Sequence, residues 1–321
     1  MDFLANYFSS LNPMSFLSAL PGNIAQGIIW GLMGLGVFLT FKLLNFADLS
    51  VDGSFATGGA VTAVMLIKDC PVWATIIVAI LAGLAAGLVT GLLHTLLGIP
   101  DILAGILTQI ALYSINLNIM GKSNLPISYR NYTLVVSASN INMAILVGLG
   151  ICAVVVAAMY WYFGTEQGST IRSTGSNPAM SKAQGININF TKVIALALSN
   201  GLVALSGSLF AQYQGFADIN MGRGAIVIGL AAVIIGEVLG EAIFRKHMNF
   251  IIRMLFVIVG GILYYIAMGI VLWLKMPTDD TKLFTAIIVA IFLAVPYLQK
   301  KRKTSFKKVA KMNAKNAQKE G

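Results

Sequence analysis

The uncharged run WATIIVAILAGLAAGLVTGLLHTLL, residues 73–97, decides the class of fold to which this chain belongs. It contains no Asp, Glu, Lys or Arg, and it is longer than the roughly 20 apolar residues that cross the hydrocarbon core of a bilayer. Gly83, Gly87 and Gly91 recur at every fourth position, so they share one helix face and allow a neighbouring helix to approach closely. The run predicts a transmembrane helix packed in a bundle.

The whole chain has the same character. Hydrophobic residues make up 57% of it and charged residues 11%, whereas soluble domains are about 25% charged, so a soluble fold is excluded. The sequence predicts an all-α, polytopic transmembrane helix bundle with about nine spans, within a range of eight to ten, some of them broken. Residues 3–20, interrupted by Asn12 and Pro13, are expected to form an interfacial helix or a tenth span. The predicted spans are 22–41, 54–67, 73–97, 102–119, 141–163, 191–213, 224–239, 251–274 and 282–298.

Charge predicts the orientation of these spans. Most of the net charge of +10 lies in the tail 299–321, where nine Lys or Arg residues face one acid, Glu320. A basic end beside a membrane span marks the cytoplasmic side, so we expect it to contact membrane lipid and no nucleic acid. Counting back from a cytoplasmic C-terminus places the loop 164–190 inside, and the loop 120–140 and Arg223 outside. We therefore expect a multi-pass protein of the bacterial inner membrane, with a transmembrane domain over residues 1–298.

A short string of residues occurs twice, once in each half of the chain. Phe46-Ala47-Asp48-Leu49 is echoed by Phe216-Ala217-Asp218-Ile219, and a glycine follows each Phe at the same spacing, at Gly59 and Gly229. In the predicted orientation the first copy lies toward the cytoplasm and the second toward the outside. This is the pattern of an inverted repeat in which broken helices line a central path. The predicted halves are about 20–163 and 191–298.

The loop 164–190 is the longest polar stretch between spans. Asn177 followed by Pro178 is a favourable helix start, because the Asn side chain caps the helix and Pro needs no N–H donor at the first position. Gly185 is a natural helix end. The loop therefore predicts a cytoplasmic helix of about two turns, which serves either to dock in a partner's groove or only as an amphipathic loop helix.

Polar side chains within the apolar segments are candidates for a translocation path, because charge buried in hydrocarbon is costly and such residues usually face a cavity or a partner. Gln109, Tyr113 and Asn116 share one face of the fourth predicted span. Alternatively they hydrogen-bond helix to helix, and Asp48 and Asp52 only cap the helix that begins near Gly53. The residues assigned to the path are Asn45, Asp48, Asp52, Ser54, Gln109, Tyr113, Asn116, Asp218 and Asn220.

The sequence predicts no catalytic site. The two His and two Cys residues lack the spacing of metal ligands, so no metal site is expected. A phosphate-binding loop needs a Gly separated by four residues from Gly-Lys-Ser/Thr, and the nearest match, Gly121-Lys122-Ser123, has Asn116 at that position. ATP hydrolysis, if it drives this protein, is expected on another chain.

Two motifs carry a resemblance to a known family. The run Arg172-x-x-Gly175-x-Asn177-x-Ala179-x-x-x-Ala183-x-Gly185-Ile186 resembles the cytoplasmic coupling segment of ABC importer permeases of the branched-chain amino acid, ribose and nucleoside group. Residues 45–54, NFADLSVDGS, resemble the motif that follows the first long helix in that group. The chain is most similar to a branch for amino-acid uptake in Gram-positive bacteria, with aromatic amino acids as candidate solutes.

The resemblance implies partners and a docking surface. It implies a permease that is one half of a homodimer or of a permease pair, two cytoplasmic ATPase subunits that carry ATP and Mg²⁺, and an extracellular solute-binding protein. This chain would then hold no cofactor. Ser173, Thr174 and Ser176 depart from the Ala or Val of many relatives. The residues that match the ATPase contact are Arg172, Gly175, Asn177, Pro178, Ala179, Lys182, Ala183, Gly185 and Ile186.

Two other functions fit part of the pattern. An ion-coupled secondary transporter would also have an inverted repeat and intramembrane acids, but it does not need a docking helix in the loop 164–190. A polytopic membrane enzyme or scaffold would need clustered catalytic groups at one interface, and none is visible in the sequence. An importer permease for a small solute, with an amino acid as the first candidate, is the function that the sequence favours.

Overall fold

A computed structural model describes residues 13–128, 132, 134–244, 248–274, 283–292 and 294. Their α-helices are α1 (Pro13–Val37), α2 (Val51–Ile67), α3 (Val72–Thr95), α4 (Asp101–Met120), α5 (Ile141–Phe163), α6 (Glu166–Ser176), α7 (Pro178–Ala183), α8 (Ile188–Gln214), α9 (Ala225–Phe244), α10 (Phe250–Trp273) and α11 (Leu283–Phe292). A π-helix (Phe38–Leu43) continues α1, and two short strands are β1 (Asn124–Pro126) and β2 (Phe216–Asp218).

Seven of the described helices are long and apolar enough to cross a membrane, and α2 and α11 are shorter apolar helices. The helical bundle is confirmed, and the predicted count of about nine spans is met only when these two are included. The expected separate helix over residues 3–20 is wrong in its described part, because Pro13 begins α1 and the helix runs unbroken into the first span. The rest of that segment, the end of the predicted ninth span and the tail 299–321 lie outside the described residues.

Helices α1 and α8 form the centre of the bundle and run antiparallel to each other. The Ser199 hydroxyl donates to the Gly36 carbonyl oxygen at 2.7 Å, and the Ser206 hydroxyl donates to the Ile29 carbonyl oxygen at 2.7 Å. Around this pair, Gly83 and Gly87 bring α3 against α8, where a side chain would overlap backbone atoms. Small residues therefore set the close packing, as expected in a membrane.

The inverted repeat is visible in equivalent backbone features of the two copies. Ser50 N–H donates to Asp48 Oδ1 at 2.9 Å, and Asn220 N–H donates to Asp218 Oδ1 at 2.7 Å. The residue before each Phe adopts positive φ, namely Asn45 at 55° and the corresponding Gly215 at 78°. The two strings thus form the same turn at the end of the two central helices.

The helices that follow the two turns, α2 and α9, start at one place and run apart. Helix α2 is parallel to α8, since its Ser54 hydroxyl donates to Asn200 and, eight residues later on both helices, its Thr62 hydroxyl donates to Ser208. Helix α9 is parallel to α1, since Gly229 lies against Met33 and Val37, and Glu237 pairs with Lys42 farther along. Because α1 and α8 are antiparallel, α2 and α9 run in opposite directions. Their N-termini meet, since Asp52 in the first turn of α2 accepts N–H groups at the start of α9.

The connecting segments add structure that the sequence did not predict. Strands β1 and β2 pair antiparallel, with Asn124 opposite Asp218, Leu125 opposite Ala217 and Pro126 opposite Phe216. The loop 164–190 contains two helices, not one. Helix α7 matches the predicted two turns, since Asn177 Oδ1 accepts the Met180 N–H at 3.0 Å and Gly185 has a φ of 83°.

Helix α6 precedes α7, and its polar composition hid it from sequence analysis. Thr165 caps its start by accepting the Gly168 N–H. Hydroxyl groups at positions 169, 170, 173 and 176 donate to the carbonyl oxygens three residues earlier. Ile171 and Thr174 are buried against the bundle. These tertiary contacts hold a Ser- and Thr-rich segment in a helix that its own propensities do not favour.

Candidate functional site

A cavity of about 280 Å³ lies where the N-terminus of α2 faces α4. Four of the predicted path residues line it, namely Asp52, Gln109, Tyr113 and Asn116. Apolar side chains from α2, α4 and the segment before α9 complete its wall, together with one cation, Arg223. The cavity therefore combines one carboxylate, one guanidinium group and two side-chain amides within a largely apolar bundle.

Asp52 connects the two repeats at this cavity. It lies in the first turn of α2, and its carboxylate accepts the Gly224 N–H at 2.9 Å and the Ile226 N–H at 2.8 Å. Both N–H groups lie at the start of α9, where backbone donors have no acceptor within the helix. The helix dipole is positive at this end and favours a carboxylate. The alternative in which Asp52 only caps its own helix is therefore incomplete, because both N–H groups that its carboxylate accepts belong to the start of the helix in the other half.

Asn116 is the cavity residue with the most unusual environment. Its side chain is fully buried at 0% exposure, yet neither amide atom has a hydrogen-bond partner among the described residues. A buried amide without partners is costly, since its donors and acceptor have lost water and gained nothing. Such a group indicates either bound water or a ligand in the adjoining cavity.

Arg223 is a cavity residue that the sequence analysis did not assign to the path. Gly222 packs against the Asp52 carbonyl oxygen, which brings the segment before α9 back from the end of α8 into the bundle. Arg223 follows directly and lines the cavity. The signal in the sequence was the position of Arg223 just after the second copy of the repeat. The charge count treated this residue only as a loop charge and did not consider it for the path.

Two predicted path residues, Asp48 and Ser54, do not line the cavity and lie in a buried polar cluster beside it. Asn200, at the middle of α8, donates to Asp48 Oδ2 at 2.7 Å and accepts the Ser54 hydroxyl at 2.6 Å. The Ser50 hydroxyl donates to Asp48 Oδ1 and also bonds to the Asn200 oxygen. All these residues are buried. The cluster fastens the first turn of the repeat to α8, and Asn200 is the member that sequence analysis missed.

The remaining predicted path residues also lie away from this cavity. Asn45 is exposed at its positive-φ turn. Asp218 is in β2, where its Oδ2 accepts from the Asn124 amide at 3.4 Å, and Asn220 is exposed next to it. These three residues belong to the two repeated turns and help to form them, Asn45 through its positive φ and Asp218 by accepting the Asn220 N–H.

The predicted docking residues form an exposed surface on α7 and its flanks. Arg172, Asn177, Pro178, Ala179, Lys182, Ala183 and Gly185 are exposed, and Ile186 is half-buried. Gly175 differs from the others because it points toward the bundle, and a side chain there would overlap the Leu43 carbonyl oxygen.

Helix α6 links this exposed surface to the repeat. Gly175 lies against Leu43 and Leu44, which immediately precede the turn at Asn45. Arg172 donates to the Phe163 carbonyl oxygen at 3.0 Å and lies 5.9 Å from the Phe250 ring centroid. Helix α6 therefore contacts α5, α10 and the end of the π-helix, and α7 follows it after a single residue, Asn177.

No metal-binding group of three His, Cys, Asp or Glu residues occurs in the part of the chain that the structure describes. Cys70 and Cys152 are free thiols. The arrangement offers binding groups and a mechanical linkage.

Comparison with known proteins gives a consistent result. The family model for the permease component of branched-chain amino acid transport systems matches residues 22–296. A tyrosine transport system permease protein of Clostridioides difficile is 42% identical over 301 residues, which are 93% of this chain and 99% of that protein. A D-allose transport system permease protein of Escherichia coli is 25% identical and covers 80% of this chain and 77% of its own length.

A solved structure shares the fold. PsaBC from Streptococcus pneumoniae, in complex with Fab, matches with a TM-score of 0.52 and 16% sequence identity, covering 91% of this chain and 94% of that chain. At this identity the match concerns the fold alone.

Proposed function

Because this chain belongs to the family of permease components of branched-chain amino acid transport systems, we propose that it is the membrane subunit of an ATP-driven importer whose solute is an aromatic amino acid. The observation that carries the mechanism is the linkage between an exposed helix, α7, and the cavity at the meeting point of α2 and α9. The name of the 42% identical relative, a tyrosine permease, supports the choice of solute.

The energy source is proposed to be a pair of separate ATPase subunits that bind ATP and Mg²⁺ and dock on α7. Supporting this, α7 presents Ala179 and Ala183, whose small side chains leave room for a groove to close around the helix, and Met180, which is 58% exposed. Lys182 adds a charge suited to an acidic partner.

Docking would act on the cavity through the backbone. A displacement of α7 moves α6, and Gly175 is in direct contact with Leu43 and Leu44. From there the chain passes through the turn at residues 45–50, which Asn200 fastens to α8, and enters α2 at Asp52. Since Asp52 also caps α9, one displacement would move both α2 and α9. Alternating access requires such a movement of the two repeats around the site.

The remaining partners and the orientation follow from the same proposal. The α7 side and the C-terminus face the cytoplasm of a bacterial cell, the paired strands β1 and β2 face outward, and a solute-binding protein delivers the amino acid there. A second permease, either an identical copy or a paired chain, would complete the channel. In support, α4 exposes Ile110, Tyr113 and Leu117 on one face next to the cavity.

The docking step can be tested with a double substitution, Ala179→Asp with Ala183→Asp. We expect it to abolish co-purification of the ATPase subunits and ATP-driven amino-acid uptake in proteoliposomes, because two carboxylates would be forced into the groove. Gln167→Asp with Gln184→Asp is the matched control, since it places the same two negative charges on exposed positions of the loop 164–190 outside the small-residue face of α7.

Two outcomes contradict the proposal. If the double variant still binds the ATPase subunits as the wild type does, the docking surface lies elsewhere. If the wild type takes up the amino acid without ATP, driven by an ion gradient alone, the protein is a secondary transporter.

A further inference from the structure

We propose that the cavity between α2 and α4 is a recognition site for the charged backbone of an α-amino acid, in which Arg223 binds the carboxylate and Asp52 binds the ammonium group. This inference deepens the proposed function and rests on it. Neither residue has been assigned a ligand, and Arg223 was not among the path residues that the sequence suggested.

Arg223 has the chemistry and the freedom to bind a carboxylate. Three arginines are described, and Arg172 and Arg253 use their guanidinium groups on the Phe163 carbonyl oxygen and on Glu237. Arg223 lines the cavity with an exposed side chain and makes no ion pair with any described residue. A guanidinium group presents two parallel N–H donors that match a carboxylate, and such charge-assisted pairs are strong.

Asp52 supplies the complementary charge in the same cavity. Each of its oxygens accepts one backbone N–H from the start of α9, and each retains a second lone pair. Those two bonds fix the carboxylate in place, and its side chain is only half-buried, so the free lone pairs are accessible from the cavity. The helix start thus holds an acid in position for an ammonium group.

Asn116 is an independent indication that a ligand enters here. It is fully buried, it lines the cavity, and both polar atoms of its amide are unpartnered among the described residues. A polar solute can satisfy both the donor and the acceptor. Gln109 and the Tyr113 side chain line the same wall, and Ala56, Ile110 and Ile219 give it an apolar part.

Size and charge together favour a single zwitterion. The cavity of about 280 Å³ is close to the lower limit of roughly 300 Å³ for small-molecule pockets, which suits a molecule of amino-acid size. One cation and one anion balance a zwitterion, whereas an amine leaves Arg223 unpaired and an acid leaves Asp52 unpaired. A sugar, which has no charge, leaves both unpaired. The loss of a charge-assisted hydrogen bond at Arg223 or Asp52 is the expected basis of discrimination against such molecules.

Equilibrium binding of radiolabelled L-tyrosine, with L-leucine as a second probe, tests the proposal on the complete permease–ATPase complex in lipid nanodiscs without the binding protein. Competitors are tyramine, which lacks the carboxylate, and 3-(4-hydroxyphenyl)propionate, which lacks the ammonium group. For the wild type we expect each to compete about tenfold or more weakly than L-tyrosine, the size of effect expected for a lost charged hydrogen bond.

The variants separate recognition from folding. Arg223→Gln should remove the preference over tyramine and keep the preference over the propionate, and Arg223→Lys should restore part of it. Asn116→Leu should weaken all three ligands alike. Lys122→Gln, which removes an exposed charge from the wall of a different cavity, should behave as the wild type does. If Arg223→Gln does not yield a stable complex, Arg223→Lys and the wild-type competition decide the question.

The proposal is overturned if the wild type binds neither probe at millimolar concentration, if it binds all three tyrosine-related ligands equally, or if Arg223→Gln keeps its preference over tyramine. ATP-driven uptake by the same preparation, with the binding protein added, separates this failure from that of the proposed function. Uptake without selective binding refutes only the recognition site, whereas absence of any ATP-driven amino-acid uptake refutes the importer.

Discussion

Replacing Asp52 by Asn should destabilise the bundle, because this side chain caps a helix that belongs to the other repeat. The Asn oxygen can accept one of the two N–H groups at the start of α9, and its NH₂ group then faces the other donor. One unpaired donor costs about 1–3 kcal/mol. The lost interaction of the charge with the helix dipole costs about 0.3–1 kcal/mol more. Since the contact is half-buried, we expect a loss of about 2 kcal/mol, in the lower part of the combined range.

The free energy of unfolding in mixed lipid–detergent micelles, followed by circular dichroism, measures this loss. Asp101→Asn is the matched control, because Asp101 also lies in the first turn of a helix and its carboxylate accepts at 2.9 Å the N–H of Ile102, a residue that is exposed. Water can replace that contact, so the control should lose less than about 1 kcal/mol. If Asp52→Asn costs no more than Asp101→Asn, the cap between the repeats does not stabilise the fold.

Two further predictions concern the linkage at Gly175 and the central pair of helices, α1 and α8. Gly175→Ala places a methyl group against the Leu43 carbonyl oxygen, so α6 must shift at a cost of about 1–3 kcal/mol. Solute-stimulated ATPase activity should therefore fall, while the ATPase subunits still bind. Gly150→Ala is the control, because the added methyl group lies in open space on α5 and should have no effect. Full coupling in Gly175→Ala would contradict the linkage. Ser199→Ala and Ser206→Ala should each lower the free energy of unfolding by about 0.6 kcal/mol, because each removes one buried hydrogen bond of 2.7 Å between α8 and α1. If neither variant is less stable than the wild type, these bonds do not stabilise the central helix pair.

The transmembrane helices were predictable because each is a local property of the chain. A run of about 20 apolar residues must be helical in hydrocarbon, where the backbone can satisfy its hydrogen bonds only within its own segment. The start of α7 was predictable for a similar reason, since Asn177 caps a turn three residues away. Helix α6 was not, because its helical state depends on burial of Ile171 and Thr174 against the bundle.

The candidate site was predictable only in part. Gln109, Tyr113 and Asn116 were found because helical spacing alone puts them on one face. Arg223 was not assigned to the site, because a count of loops cannot show that the segment before α9 packs against α2 and lines the cavity. Asn200 carried no local signal, since its partner Asp48 is 152 residues away.

Apolar length, charge bias and helix caps thus fixed that this chain is a membrane helix bundle with a repeated turn, because each of these acts over a few neighbouring residues. The site itself came from packing. Asp52 accepts the N–H of Gly224, which is 172 residues away in the sequence, and no local sequence pattern predicts this contact. The antiparallel contact of α1 and α8 brings the two halves together and sets the acid, the base and the unpartnered amide around one cavity.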